Sequence, residues 1–119
     1  MITQEKGRLA EEKAVVYLQN QGLKLITQNF RCPVGEIDII MNDQEYLVFI
    51  EVRSRVSTQF GGGILSINYA KRQKILKTAS FYLLKHQKYQ QYALRFDVVS
   101  IDGKSAFINW IKDAFGADY

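Results

Sequence analysis

Hydrophobic residues recur with two different periods along the chain, and the changes of period divide it into helices and strands. Apolar residues at three- and four-residue steps near the amino terminus predict a helix that Thr3 caps, that runs to about Asn20 and that Gly22 ends. A second helix is predicted over residues 67–86. Strands are predicted over 23–31, 34–41, 45–55, 92–101 and 105–111, with Asp102-Gly103 as a hairpin turn. This order predicts an α/β domain in which a mixed sheet carries helices on its faces.

Charged residues accompany the apolar pattern on three of these strands. Pairs that lie two positions apart, and therefore share a face, are Glu36 and Asp38, Glu51 and Arg53, and Arg95 and Asp97. The last pair is expected to form an ion pair across the sheet surface. The uninterrupted apolar run at 47–50 predicts that the third strand is central and covered on both sides. Charges at the end of such a strand therefore need a reason beyond solubility.

The composition is that of one globular domain. The chain has 119 residues, of which 47% are hydrophobic and 24% charged, so a single domain over 1–119 is expected and disordered or fibrous architectures are excluded. Residues 113–119 are expected to form a disordered tail. There is one cysteine, no run approaching the roughly 20 apolar residues of a membrane span, and no signal-peptide centre. These features predict a soluble protein of the cytoplasm that does not bind membranes.

Positive charge is concentrated in the second half of the chain. The net charge is +4, and no acidic residue falls between Glu51 and Asp97, where nine lysines and arginines lie. Clustered cations favour a polyanion such as nucleic acid, because phosphate contacts release counterions, although a solubilising helix face has the same pattern. The residues expected to hold a nucleic-acid backbone without reading its sequence are Arg55, Lys71, Arg72 and Lys74.

Asp38 and the tripeptide Glu51-Val52-Arg53 are the leading candidates for chemistry. An aspartate that ends one strand and a glutamate on its hairpin neighbour can converge on one hard cation, with the main-chain carbonyl of Val52 completing the protein's share of the ligands. A divalent cation there would activate water for hydrolysis, and Arg53 would neutralise charge that develops in the transition state. The alternative is that both carboxylates are simply exposed edge residues.

Four sequence strings resemble the YraN family of uncharacterised bacterial proteins. They are GxxAExxAxxYL at 7–18, GEIDII at 35–40, VFIEVRSR at 48–55 and RFDVV at 95–99, and together they cover nearly the whole chain in order. The resemblance implies a restriction-endonuclease-like fold, similar to that of archaeal Holliday junction resolvases. It also implies hydrolysis of phosphodiester bonds in nucleic acid, with DNA expected, and a homodimer, because resolvase-like enzymes make two symmetric cuts.

The same resemblance assigns roles to individual residues. The nuclease signature is a helix acid, an aspartate and a Glu-x-Lys, which correspond here to Glu11, Asp38 and Glu51, with Arg53 at the lysine position. It implies Mg²⁺ or Mn²⁺ held by Asp38, Glu51 and the Val52 carbonyl, with Glu11 assisting through a water. Arginine stays protonated, so Arg53 retains transition-state stabilisation but not water activation.

That departure from the signature leaves the function open between two classes. The first is a metal-dependent endonuclease in which Glu11, Asp38, Glu51 and Arg53 are catalytic. The second is a nucleic-acid-binding module that has the same fold but catalyses no reaction. A protein-interaction role on this scaffold is the third possibility.

Overall fold

Five β-strands form one sheet, and two α-helices pack on its opposite faces. The computed structural model describes residues 2–55 and 67–116, without the side chains of residues 2–6 and of Arg55. The elements are α1 (Ile2–Asn20), β1 (Lys24–Cys32), β2 (Gly35–Asp43), β3 (Tyr46–Arg55), α2 (Tyr69–Lys85), β4 (Ala93–Asp102) and β5 (Ile108–Phe115). In the described part of the chain no helix is long and apolar enough to cross a membrane.

The strands lie in the sheet in the order in which they occur in the chain. β3 and β4 are parallel, whereas the other neighbouring pairs are antiparallel. Two parallel neighbouring strands need a crossover connection, and the connection between β3 and β4 contains α2. The predicted mixed α/β sheet is therefore confirmed.

Each face of the sheet contributes to its own hydrophobic core. The core under α1 contains Leu18 and Ile50, and the core under α2 contains Phe49 and Tyr82. Residues 47–50 are at most 1% exposed. β3 is therefore covered on both sides, as its apolar run predicts, because consecutive residues of a strand point to opposite faces.

Two differences from the predicted element ends change an interpretation, while the other ends shift by at most three residues. α1 begins at Ile2, so Thr3 lies in its first turn rather than at the cap. The prediction of a disordered tail is wrong for residues 113–115, which belong to β5; the Phe115 ring is 3% exposed and stacks on Phe96 with centroids 5.4 Å apart. The β4–β5 pairing changes register between Phe96 and Val98, which interrupts the alternating pattern that would have indicated this strand. Residues 117–119 lie outside the described part of the chain.

A buried ion-pair network joins β2, β4 and β5. The Arg95 guanidinium donates to Asp97 at 3.0 Å and contacts Asp43 at 2.9 Å, while Asp97 also accepts the Trp110 Nε1–H at 3.0 Å and the Asp113 N–H at 2.9 Å. The predicted Arg95–Asp97 pair is confirmed, but its position at the sheet surface is wrong because Asp97 is fully buried. Burial alone would lower the pKa of Arg95, but hydrogen bonds and charge from Asp97 and Asp43 raise it.

Gly35 brings the start of β2 into close contact with α2. A methyl group at this position would lie 2.8 Å from Thr78 Oγ1. Thr78 is fully buried, and its hydroxyl donates to the Lys74 carbonyl oxygen at 2.7 Å, so it has little room to move. A glycine at position 35 therefore sets how closely α2 approaches the strand that carries Asp38.

Gly35→Ala is expected to destabilise the protein because the added methyl group forces α2 away from the sheet. We expect the free energy of unfolding in urea to fall by about 1–3 kcal/mol, the usual cost of overpacking a core. Gly7→Ala is the matched control, since a methyl group there meets nothing within 4 Å and alanine favours a helix. Equal stability of Gly35→Ala and the unmodified protein would contradict the close contact.

Candidate active site

β2 and β3 stop pairing before β3 ends, and the candidate site lies where they separate. Their paired residues run from Asp43 with Tyr46 to Ile39 with Ile50. The next two residues in this register are Asp38 and Glu51. There, the Val52 N–H donates to Asp38 Oδ2 at 2.8 Å. The Asp38 carboxylate thus replaces a backbone carbonyl as the hydrogen-bond acceptor at this point of the sheet, and it lies across from Glu51.

The separated strand ends open into a cleft of about 350 Å³ between α1 and α2. Its lining is Gly7, Ala10, Glu11, Asp38, Glu51, Val52, Arg53, Ser54 and Lys71. The structure therefore brings together all the residues predicted to be catalytic or metal-binding, and adds a lysine from α2.

The carboxyl groups of the cleft are crowded. Burial raises the pKa of Asp38 to about 8, and the negative charge of Glu51 adds to the rise while the hydrogen bond from the Val52 N–H opposes it. Burial also raises the pKa of Glu11, although a hydrogen bond with Asn29 works against that shift. A positive charge placed among these groups would therefore be stabilising.

The Asp38 and Glu51 carboxylates are neighbours in the cleft. Among the described side chains, those of residues 7–54 and 67–116, no group of three or more His, Cys, Asp or Glu is placed so that it could hold a metal ion. A site built from two side chains, Asp38 and Glu51, and the main-chain carbonyl of Val52 does not conflict with this absence. Glu11 lines the same cleft, where a role through a water remains a prediction.

Lys71 reaches the cleft from α2 while its side chain stays 48% exposed. Its Nζ lies 2.7 Å from Glu51 Oε2, and the expectation that it contacts a nucleic-acid backbone stays a prediction. Of its neighbours on α2, Lys74 is exposed. Arg72 is half-buried, with its guanidinium 6.0 Å from the Tyr69 ring centroid, and its buried Nε–H has no hydrogen-bond partner among the described residues.

The remaining charged candidates have separate environments. Arg53 lines the cleft, and within the described residues its buried Nε–H has no hydrogen-bond partner. Glu36, which shares a strand with Asp38, is exposed and pairs with Arg31 at 3.0 Å. The side chain of Arg55 lies outside the described residues.

No sequence pattern assigned Lys71 to the cleft. It lies 20 positions after Glu51, on a helix whose placement depends on the contact between Gly35 and Thr78. The start of α2 was the available signal, since Asn68 is a good capping residue and places Lys71 in the first turn. That signal gives a position along the helix but not the direction in which the lysine points.

The mixed sheet, the two helices and the cleft define a single α/β domain that is consistent with a restriction-endonuclease-like fold. The sequence model for "Uncharacterised protein family UPF0102" matches residues 10–101, and the chain belongs to this family, the YraN family that its motifs indicated. A UPF0102 protein of Legionella pneumophila (strain Corby) is 54% identical over 116 residues, which cover 98% of each chain. Relatives from Psychromonas ingrahamii and Coxiella burnetii are 52% and 45% identical, over 92% and 99% of this chain and 88% and 98% of their own.

Asp38→Asn should stabilise the metal-free protein more at alkaline than at acidic pH. Between the ordinary pKa of 3.8 and the raised pKa of about 8, the folded protein keeps a proton that the unfolded chain has lost. The free energy of unfolding therefore falls as the pH rises through this window, and asparagine, which does not ionise, removes that cost. In urea unfolding with EDTA, we expect the advantage of Asp38→Asn to grow by about 1.4 kcal/mol for each pH unit within this window.

Glu36→Gln is the control for this measurement, because Glu36 is exposed and paired with Arg31. Its effect should change little across the same pH range. An advantage of Asp38→Asn that does not depend on pH would contradict the crowding of carboxyl groups in the cleft.

Proposed function

We propose that this protein is a metal-dependent endonuclease that hydrolyses phosphodiester bonds in nucleic acid, with DNA as its substrate. The observation that carries the proposal is the convergence of Asp38 and Glu51 on a cleft that Arg53 and Lys71 also line. Two carboxylates supply ligands for a hard cation, and two cations suit a phosphate group. The chain belongs to a family without an assigned activity, so the proposal depends on the geometry of the site.

Mg²⁺ or Mn²⁺ suits the donors of this cleft. Asp38, Glu51 and the main-chain carbonyl of Val52 would hold the ion, and Glu11 would assist through a water, because both ions prefer oxygen ligands. Burial and the charge of Glu51 raise the pKa of Asp38, and a cation between the carboxylates would offset both effects. When bound, such an ion provides Lewis-acid activation of water and neutralises charge on the phosphate.

Arg53 is the residue to which we assign stabilisation of the transition state. Its planar guanidinium stays protonated and presents several donors that match phosphate oxygens. Its buried Nε–H has no hydrogen-bond partner among the described residues, which leaves a donor available. Arg53 therefore binds and orients the phosphate, and it does not take a proton from the attacking water.

The start of α2 is the surface on which we expect the nucleic-acid backbone to lie. Arg72 and Lys74 follow Lys71 on this helix, so a phosphate in the cleft would have neighbouring phosphates near them. We assign Arg55, the last residue of β3, to the same contact. Action in the cytoplasm and a homodimer that cuts both strands complete the proposal.

A non-catalytic nucleic-acid-binding module is the second candidate. It is favoured by Arg53, which cannot activate water, and by the contact of Lys71 with Glu51, which satisfies a carboxylate without any metal. Such a protein would bind nucleic acid equally well with and without divalent cations. Its affinity would fall steeply with salt.

Glu51→Ala should abolish metal-dependent cleavage while leaving the fold intact. The assay uses single-stranded, duplex, flap and four-way-junction DNA, each with Mn²⁺ and with EDTA. We expect the variant to lose at least about a hundredfold in cleavage rate, since removal of one charge-stabilising group of an active site typically costs that much. Thermal unfolding measured in parallel should show a folded protein.

Glu45→Ala is the matched control, because Glu45 is exposed in the turn between β2 and β3. It should cleave at the unmodified rate. Retained activity in Glu51→Ala would rule out the assignment of Glu51. Binding without cleavage by the unmodified protein, unchanged by EDTA, would favour the second candidate.

A further inference from the structure

Lys71 is held at the mouth of the cleft by the start of α2. Asn68 caps the helix, and its Oδ1 accepts the Lys71 N–H at 2.8 Å, which fixes the lysine backbone. The Lys71 side chain is 48% exposed, whereas the Glu51 side chain, 2.7 Å from its Nζ, is 8% exposed. The ammonium group thus lies on the solvent side of a buried carboxylate.

The position of this ammonium group matters because Glu51 is also a ligand in the proposed metal site. A buried carboxylate needs a positive partner, and in the metal-free protein Lys71 provides it. A divalent cation draws on the same carboxylate, so the two cations compete for it. Lys71 has a flexible four-carbon stem, which allows its ammonium group to move while Asn68 keeps the backbone in place.

We propose that Lys71 is an exchangeable cation of the cleft, which neutralises Glu51 in the metal-free protein and contacts the scissile phosphodiester when a divalent cation occupies the carboxylates. The inference rests on the proposed function and adds a catalytic residue to it. The contribution of Lys71 is electrostatic. The ammonium group on α2 and the guanidinium of Arg53 on β3 then bind the phosphate together.

The first test is the affinity for Mn²⁺ in the absence of nucleic acid, measured by isothermal titration calorimetry. Lys71→Met removes the competing charge and keeps the length of the side chain, so Mn²⁺ should bind roughly fivefold more tightly, in line with the strength of a partly exposed ion pair. Lys71→Arg retains the charge and should bind Mn²⁺ within about twofold of the unmodified protein. Lys77→Met, at an exposed position on the same helix, should leave the affinity unchanged.

The second test is cleavage at saturating Mn²⁺ with the DNA that the unmodified protein cuts. Lys71→Met should lose roughly a hundredfold in rate, because one donor to the charged phosphate is gone. Lys71→Arg should recover most of that loss, and Lys77→Met, at an exposed position of the same helix outside the expected nucleic-acid contact, should show none of it. Tighter metal binding with slower cleavage in one variant is the combination that a merely structural role would not produce.

The outcomes separate this inference from the proposed function. Unchanged or weaker Mn²⁺ binding by Lys71→Met would overturn the competition for Glu51. Unchanged cleavage by Lys71→Met, with cleavage lost in Glu51→Ala, would overturn the phosphate contact while the proposed function stands. Absence of cleavage by the unmodified protein would reject the proposed function. The Mn²⁺ titration would still show whether Lys71 and the metal ion compete for Glu51.

Discussion

The hydrogen bond from the Val52 N–H to Asp38 is the contact on which the candidate site depends. The Val52 N–H is partly buried and lies where β2 and β3 have stopped pairing, so it needs another acceptor. The Asp38 carboxylate is that acceptor, and the bond holds Asp38 across from Glu51. The same bond lets the two strands diverge at the cleft without leaving this N–H unpaired.

Two clusters of buried acids show how differently the fold treats negative charge. Asp97 accepts hydrogen bonds from Arg95, from the Trp110 indole and from a backbone N–H, so its charge is fully compensated inside the protein. Among the described residues Asp38 accepts one backbone N–H, that of Val52, and burial and the charge of Glu51 raise its pKa. The first arrangement is closed and structural. The second is open to solvent and incompletely compensated, as expected of a site that receives a cation from outside.

Much of this architecture could be predicted from local pattern. The helices, the five strands and the central position of β3 follow from hydrophobic period, and alternation places Glu51 and Arg53 on one face of β3. Asp38, expected at the end of a strand, is instead the fourth of the nine residues of β2. The position of Lys71 in the cleft could not be predicted, because it depends on the packing of α2 against Gly35 through Thr78. The extension of β5 to Phe115 was hidden by a change of register opposite Phe96. In both cases, contacts between residues distant in sequence decide the outcome.

The central claim is that Asp38 and Glu51 form a cation site with Lys71 as its occupant in the metal-free protein. Crystals of the protein soaked in Mn²⁺ and measured for anomalous scattering would test it most directly. The account predicts one strong peak between the Asp38 and Glu51 carboxylates and near the Val52 carbonyl, with Lys71 Nζ withdrawn from Glu51. A cleft without a peak, in which Lys71 still contacts Glu51 at saturating Mn²⁺, would contradict it.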